Sequence, residues 1–209
     1  MAQAPATELA AGLYRWSAPH PAWEPESPPD GPDDWDQMVG SVLYVLAEVA
    51  VLFDPLLPPE GEGRRRFLAW LDERVGPRPV SVLTTIHWHR RDREQLAERY
   101  AGRTRRAWNA VPPGVSPKPL RGAGETVYWL AEDAALVFGD RLLGDGHGGV
   151  RLCPESWLRE ERIDRAGLAR QMRPLLELPV EILLVSHGDP VLRDGRAELA
   201  HAIREAEPS

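Results

Sequence analysis

Three short segments carry the residues of this chain best suited to chemistry. They are Ser81-Val-Leu-Thr-Thr-Ile-His87-Trp-His89, Ala135-Leu-Val-Phe-Gly-Asp140 and Ile182-Leu-Leu-Val-Ser-His187-Gly-Asp189. Each runs from an apolar, β-rich stretch directly into an imidazole or a carboxylate. Strand ends are where layered α/β folds gather their chemistry, because a rigid sheet presents side chains there into a shared crevice. Imidazole nitrogens and carboxylate oxygens are also the donors that zinc-like ions take. His87 and His89, one residue apart in an extended loop, would point the same way and grip one ion. Three protein ligands leave a fourth position for water, whose pKa falls to about 7 on zinc.

The elements that must position these residues follow from periodicity and punctuation. Residues 1–11 read as a frayed start and Gly12–Ser17 as a first strand. Ala18–Asp36 holds six prolines and reads as a long loop, whose Trp23 and Trp35 either anchor it to the core or pack over a pocket. Met38–Ala47 and Val49–Asp54 form a hairpin, Gly63–Val75 a helix stopped by Gly76-Pro77, and Val80–Thr84 a buried strand. Arg91–Tyr100 reads as a helix, Thr104–Trp108 as a strand and Val111–Pro119 as a proline-rich loop. A second hairpin spans Thr126–Ala131 and Ala134–Phe138, followed by the glycine-rich loop Gly139–Gly149. Asp164–Leu176 is a helix with Asp164 as N-cap, Glu181–Val185 the last strand and Gly195–Glu205 the last helix. The order hairpin, helix, strand, His-bearing loop occurs twice, so two similar halves around one cleft are expected.

Composition sets the bounds. A length of 209 residues with 43% hydrophobic content suits a single domain, 1–209, with a real core. The longest apolar stretch, around Val39–Phe53, is interrupted by Gly40 and Glu48, so no membrane span is expected. A net charge of −7 argues against nucleic acid or an anionic membrane as partner. Cys153, the single cysteine, cannot form an internal disulfide, which fits a reducing, cytoplasmic setting. Lys118 is the only lysine, a skew that reflects base composition rather than function.

The three segments, in order, resemble the metallo-β-lactamase fold superfamily, and the resemblance covers most of the chain. Gly40–Pro55 looks like that family's opening hairpin, which closes on an aspartate. Val82-Leu-Thr-Thr-Ile-His-Trp-His resembles the strand running into its Thr-His-x-His-x-Asp-His loop. Val137-Phe-Gly-Asp140 resembles the Gly-Asp element carrying the metal-bridging aspartate, and Val185-Ser-His187-Gly-Asp-Pro-Val the last-histidine element. Aligned without a gap, Thr85 stands where the family's first histidine belongs, His87 matches the second, His89 replaces the aspartate and Arg90 the last histidine. A shift of two residues instead matches His87 and His89 to the histidine pair, with Arg91 and Asp92 at the next two positions. Ala123 stands where the middle histidine is expected.

The resemblance implies an α/β fold of the αββα sandwich type, with its site along one edge of the sheets. It implies metal ligands among His87, His89, Asp140 and His187, with Asp140 and His87 acting in catalysis and Asp92 a weaker candidate ligand. The ion would be zinc or iron, and the activity a mononuclear, metal-dependent hydrolysis of an ester or thioester in a small molecule. The alternative is a metal-free binding protein on the same fold, in which Arg90 or Arg91 pairs with Asp140 where cations would sit. Its ligand would be small and anionic. Asp54 is expected to fix the end of the first hairpin through backbone hydrogen bonds, and His147 to be solvated.

Overall fold

The structure, a computed structural model, describes residues 5–25, 35–103, 109–159 and 161–206. Two sheets lie face to face. The first has five strands in the order β1 (Thr7–Ala10), β2 (Leu13–Pro19), β3 (Met38–Val45), β4 (Ala50–Phe53) and β5 (Val80–Leu83). The second is ordered β11 (Ile182–Leu184), β8 (Ala135–Val137), β7 (Glu125–Leu130) and β6 (Val115–Leu120). A small ribbon pairs β9 (Leu142–Gly144) with β10 (Val150–Leu152).

Side-chain alternation builds the layers. All four residues of β4 are buried. Val51 and Phe53 meet Tyr128, Leu130 and Val137 of the facing sheet. Ala50 and Leu52 point the opposite way, toward Phe67, Leu71 and Val75 of α1 (Glu62–Val75) and Leu96 of α2 (Arg93–Arg99). The period of two that turns successive side chains to opposite faces thus needs apolar residues at every position, because both faces are covered. The outer face of the second sheet is covered likewise. Val127, Trp129, Leu136 and Leu183 pack with Leu168 and Met172 of α3 (Arg165–Met172) and with Leu199 and Ile203 of α4 (Gly195–Glu205). The result is the expected αββα sandwich. Among the described residues, no helix is long and apolar enough to cross a membrane.

The expected two halves are present. The β3–β4 hairpin leads through α1 to β5, which pairs parallel with β4. The β7–β8 hairpin leads through α3 to β11, which pairs parallel with β8. Asp164 caps α3 by accepting from Gly167 N at 2.6 Å.

Several expectations are corrected. Thr7–Ala10 is not frayed but pairs with β2 as an edge strand. The proline-rich stretch is not all loop: Val115–Leu120 pairs along its whole length with β7. It lies at the sheet edge, and an edge strand tolerates residues that cannot donate on its free side. The glycine-rich loop holds β9. Helix α2 starts at Arg93, later than expected, because residues before it form turns closed by His89 N to Ile86 O and Arg93 N to Arg90 O. The Thr104–Trp108 strand expectation and residues 26–34 of the Ala18–Asp36 loop lie outside the described residues.

Candidate metal centre

Five chain segments meet where the sheet edges converge, and they do so through backbone hydrogen bonds. Gly40 N donates to Ser186 O at 2.6 Å, and Thr126 N donates to Thr85 O at 2.7 Å. Gly188, at φ +81°, lies against the backbone of Gly144, where any side chain would collide. The loop after β11 is therefore held against β3 on one side and β9 on the other.

His89, Asp140 and His187 are all buried there, each offering a ligand atom within 4.8 Å of the others; they are the one such group among the described residues. Asp140 Oδ1 lies 2.9 Å from His89 Nε2 and 3.1 Å from His187 Nε2. Neither nitrogen meets that oxygen with hydrogen-bond alignment, so Oδ1 is a buried acceptor without a hydrogen bond. Charge on the two imidazoles can offset part of the cost of burying it, and a shared cation would complete the oxygen. Two ligands bound about 2.0–2.2 Å from one ion sit roughly 3 Å apart, with lone pairs aimed at the ion rather than at each other. The three residues fit a single divalent ion.

The surrounding contacts fix the donors. His89 Nδ1 lies 2.9 Å from Asp54 Oδ2, and an ionised carboxylate can only accept, so Nδ1 donates and Nε2 is left as the ligand atom. Asp54 also accepts from Thr85 N at 2.8 Å and from the Thr85 hydroxyl. Asp140 Oδ2 accepts from Trp88 Nε1 at 2.6 Å. Beneath it, the buried Glu125 carboxylate accepts from the backbone N–H of Gly139, Asp140 and Arg141 at 2.8–3.0 Å. Arg91 enters at a strained φ of +41°. Its guanidinium donates to Gly40 O, Asp54 O and Ser186 Oγ, and its Nη2 stands 3.4 Å from His89 Nε2.

Electrostatics reflect this crowding. Burial would lower the His89 pKa, but Asp140 and Asp54 outweigh it and carry the imidazole up to about 9. Burial would raise Asp140, yet His89 and His187 hold its carboxyl well below the usual range. Glu125 is pushed up to about 7 by burial and by the charge on Asp140, against the pull of its backbone donors.

Of the sequence-predicted residues, His89, Asp140 and His187 come together and His87 does not. His87 is exposed and stands edge-on to Trp88, ring centroids 4.6 Å apart. The physical reason is the turn at Ile86–His89, which replaces the extended loop that would have aligned the two histidines. Asp92 is also elsewhere, accepting from Leu57 N at 2.7 Å. Ala123 is buried in the core. Arg90 is exposed and pairs with Glu94, so Arg91 is the arginine of the site. His147 is exposed, as expected. Asp54 does more than fix the hairpin end expected of it, because it also holds His89. Glu125 and Arg141 belong to no motif, and their only signals in the sequence are a charge opening one strand and a charge following Gly-Asp.

A cavity of about 730 Å³ opens over the cluster, lined in part by His20, Trp35, Trp88, Arg91, Trp157 and His187. That volume suits a small molecule.

No protein-family model matches the chain, and no curated protein matches it. Solved structures do. A metallo-β-lactamase from Erythrobacter litoralis superposes with a TM-score of 0.61 at 15% identity, covering 96% of this chain and 91% of that one. The DIM-1 metallo-β-lactamase gives 0.60 at 13% identity over 96% and 95%. A metallo-β-lactamase family protein from Thermus thermophilus gives 0.53 at 17% identity over 95% and 80%. The chain has the metallo-β-lactamase fold, with a buried His–Asp–His cluster at its sheet edge.

Proposed function

We propose that this protein is a mononuclear metal-dependent hydrolase of small-molecule esters or thioesters. The observation that carries the proposal is the buried, hydrogen-bond-orphaned Asp140 Oδ1 facing two histidine nitrogens under a cavity. His89, Asp140 and His187 would hold the ion, and three protein ligands leave a position open, as catalytic zinc sites require. A two-histidine, one-carboxylate set also suits iron. When bound, the ion supplies Lewis acidity and lowers the pKa of water. Asp54 holds the His89 tautomer, Glu125 holds the Asp140 backbone, and Trp88 steadies the second Asp140 oxygen. The cavity wall orients the substrate and excludes bulk water.

Metal analysis of protein purified without chelator tests this. About one ion per chain is expected, with ester or thioester turnover lost to chelator and restored by zinc or iron. His187→Ala and Asp140→Asn should lose the ion, and His87→Ala should keep it. Wild-type protein that takes up no ion would overturn the reading.

One observation favours the second reading, a metal-free binding protein for a small anionic ligand: the Arg91 guanidinium 3.4 Å from His89 Nε2 is a fixed cation inside the centre. Under that reading, ligand-induced stabilisation ignores chelator.

A further inference from the structure

Trp88 leaves 44% of its surface exposed at the cavity mouth, which is unusual for a large indole beside a buried cluster. The ring is nonetheless fixed. Its N–H is bonded to Asp140 Oδ2 at 2.6 Å, and the guanidinium carbon of the fully buried Arg141 lies 5.3 Å from its centroid. Arg141 itself is pinned by Ala123 O, Trp157 O and Glu161 Oε1 at 2.8–2.9 Å. An aromatic surface locked at its edge and backed by a cation, with the exposed His87 ring edge-on beside it and the rest open to a cavity, has lost its orientational freedom before any ligand arrives. Trp35 and Trp157 flank His187 across the same cavity, each with its centroid 5.6 Å from the imidazole.

We propose that Trp88 is a stacking subsite for a flat, conjugated ring on the substrate, which places the bond to be cleaved beside Asp140 and His187. Calling that ligand a substrate rests on the hydrolase reading above; the subsite itself does not. Charge selects among flat ligands. The cavity lining sets Arg91 and Arg159 against Asp140 and Glu161, so the selecting charge is that of Arg141, which draws on the π density of the indole from behind and favours a neutral or anionic aryl group over a cationic one at that ring.

The test compares 2-naphthoate with decahydro-2-naphthoate, which share a carbon skeleton and a carboxylate but differ in flatness, by calorimetric titration. Wild-type protein should prefer the flat acid by about tenfold, the scale of a well-formed aromatic pair. Trp88→Phe should keep most of that preference and Trp88→Leu should erase it. Equal wild-type affinities or a preference unchanged in Trp88→Leu would each overturn the subsite, and tighter binding of trimethyl(2-naphthyl)ammonium would overturn its charge selection. The wild-type comparison stands even if a variant fails to fold. Metal content read on the same samples separates the two ideas: protein without an ion that still prefers naphthoate supports the subsite and sinks the hydrolase.

Discussion

His89 sits between two carboxylates, Asp54 at 2.9 Å and Asp140 at 2.9 Å, and their roles differ. Asp140 would be a ligand, whereas Asp54 sets which nitrogen of His89 is free to be one. Replacing Asp54 with Asn removes the charge that raises ligand basicity, and metal affinity measured by competition with a chromophoric chelator should fall about 10–100-fold. Arg91 acts in the opposite sense. Its charge opposes any cation at His89 Nε2, so Arg91→Met should tighten metal binding by roughly tenfold or more in the same assay. Weaker binding would mean that its hydrogen bonds to Gly40, Asp54 and Ser186 matter more than its charge. Cys153 is a plainer case. It is fully buried and burial pushes its thiol up to about 12, so at pH 8 it is protonated and inert. Iodoacetamide labelling at pH 8 should be negligible in the native protein and complete in denaturant.

At the scale of elements, the turns that join strands to helices decide which predicted residues reach the centre. The strands themselves were legible, because runs such as Val51–Phe53 and Val80–Leu83 are short and rich in β-formers, with Pro55 just after the first and Pro79 just before the second. The twofold recurrence of hairpin, helix and strand was legible in the same way. What remained hidden depended on long-range partners. Proline-bearing β6 is a strand only because β7 lies beside it, and His87 leaves the cluster only because Ile86–His89 closes a turn. Arg141 was invisible for the same reason: a lone arginine after Gly-Asp gives no sign that it will be wholly buried. It ties the segment after β8 to the loop before β7 and to the turn carrying Trp157 and Glu161. Arg141→Leu strands two backbone carbonyls and the Glu161 carboxylate, so urea unfolding should show a loss of about 3–5 kcal/mol. Gly139 is constrained by packing rather than by φ, since a Cβ there would press into Thr85 Oγ1 and Glu125 Oε2. Gly139→Ala should cost about 1–3 kcal/mol in the same measurement.

Across the whole molecule, the centre lies on the seam between the two halves. His89 and its partner Asp54 belong to the first hairpin–helix–strand unit, Asp140 and His187 to the second. Within the protein alone, that seam carries Arg91, the Gly40–Ser186 and Thr126–Thr85 backbone bonds, and the inter-sheet core. An ion shared by His89, Asp140 and His187 adds a link that exists only when both halves are folded, so its binding free energy becomes folding free energy. At a free-ion concentration about 100 times the dissociation constant, that contribution is about 2.7 kcal/mol. For a chain of this size each kcal/mol moves Tm by about 2–4 °C, so saturation should raise Tm by about 5–10 °C. Chelator should remove the increment in wild type, and His187→Ala should show no response to ion or chelator. The His87→Ala variant is the informative control, because its side chain lies in the cavity wall but outside the cluster. It should keep the full metal-dependent increment while its Tm without ion stays near that of wild type. If His87→Ala loses the increment instead, the turn at Ile86–His89 opens on metal binding and brings His87 in as a fourth ligand.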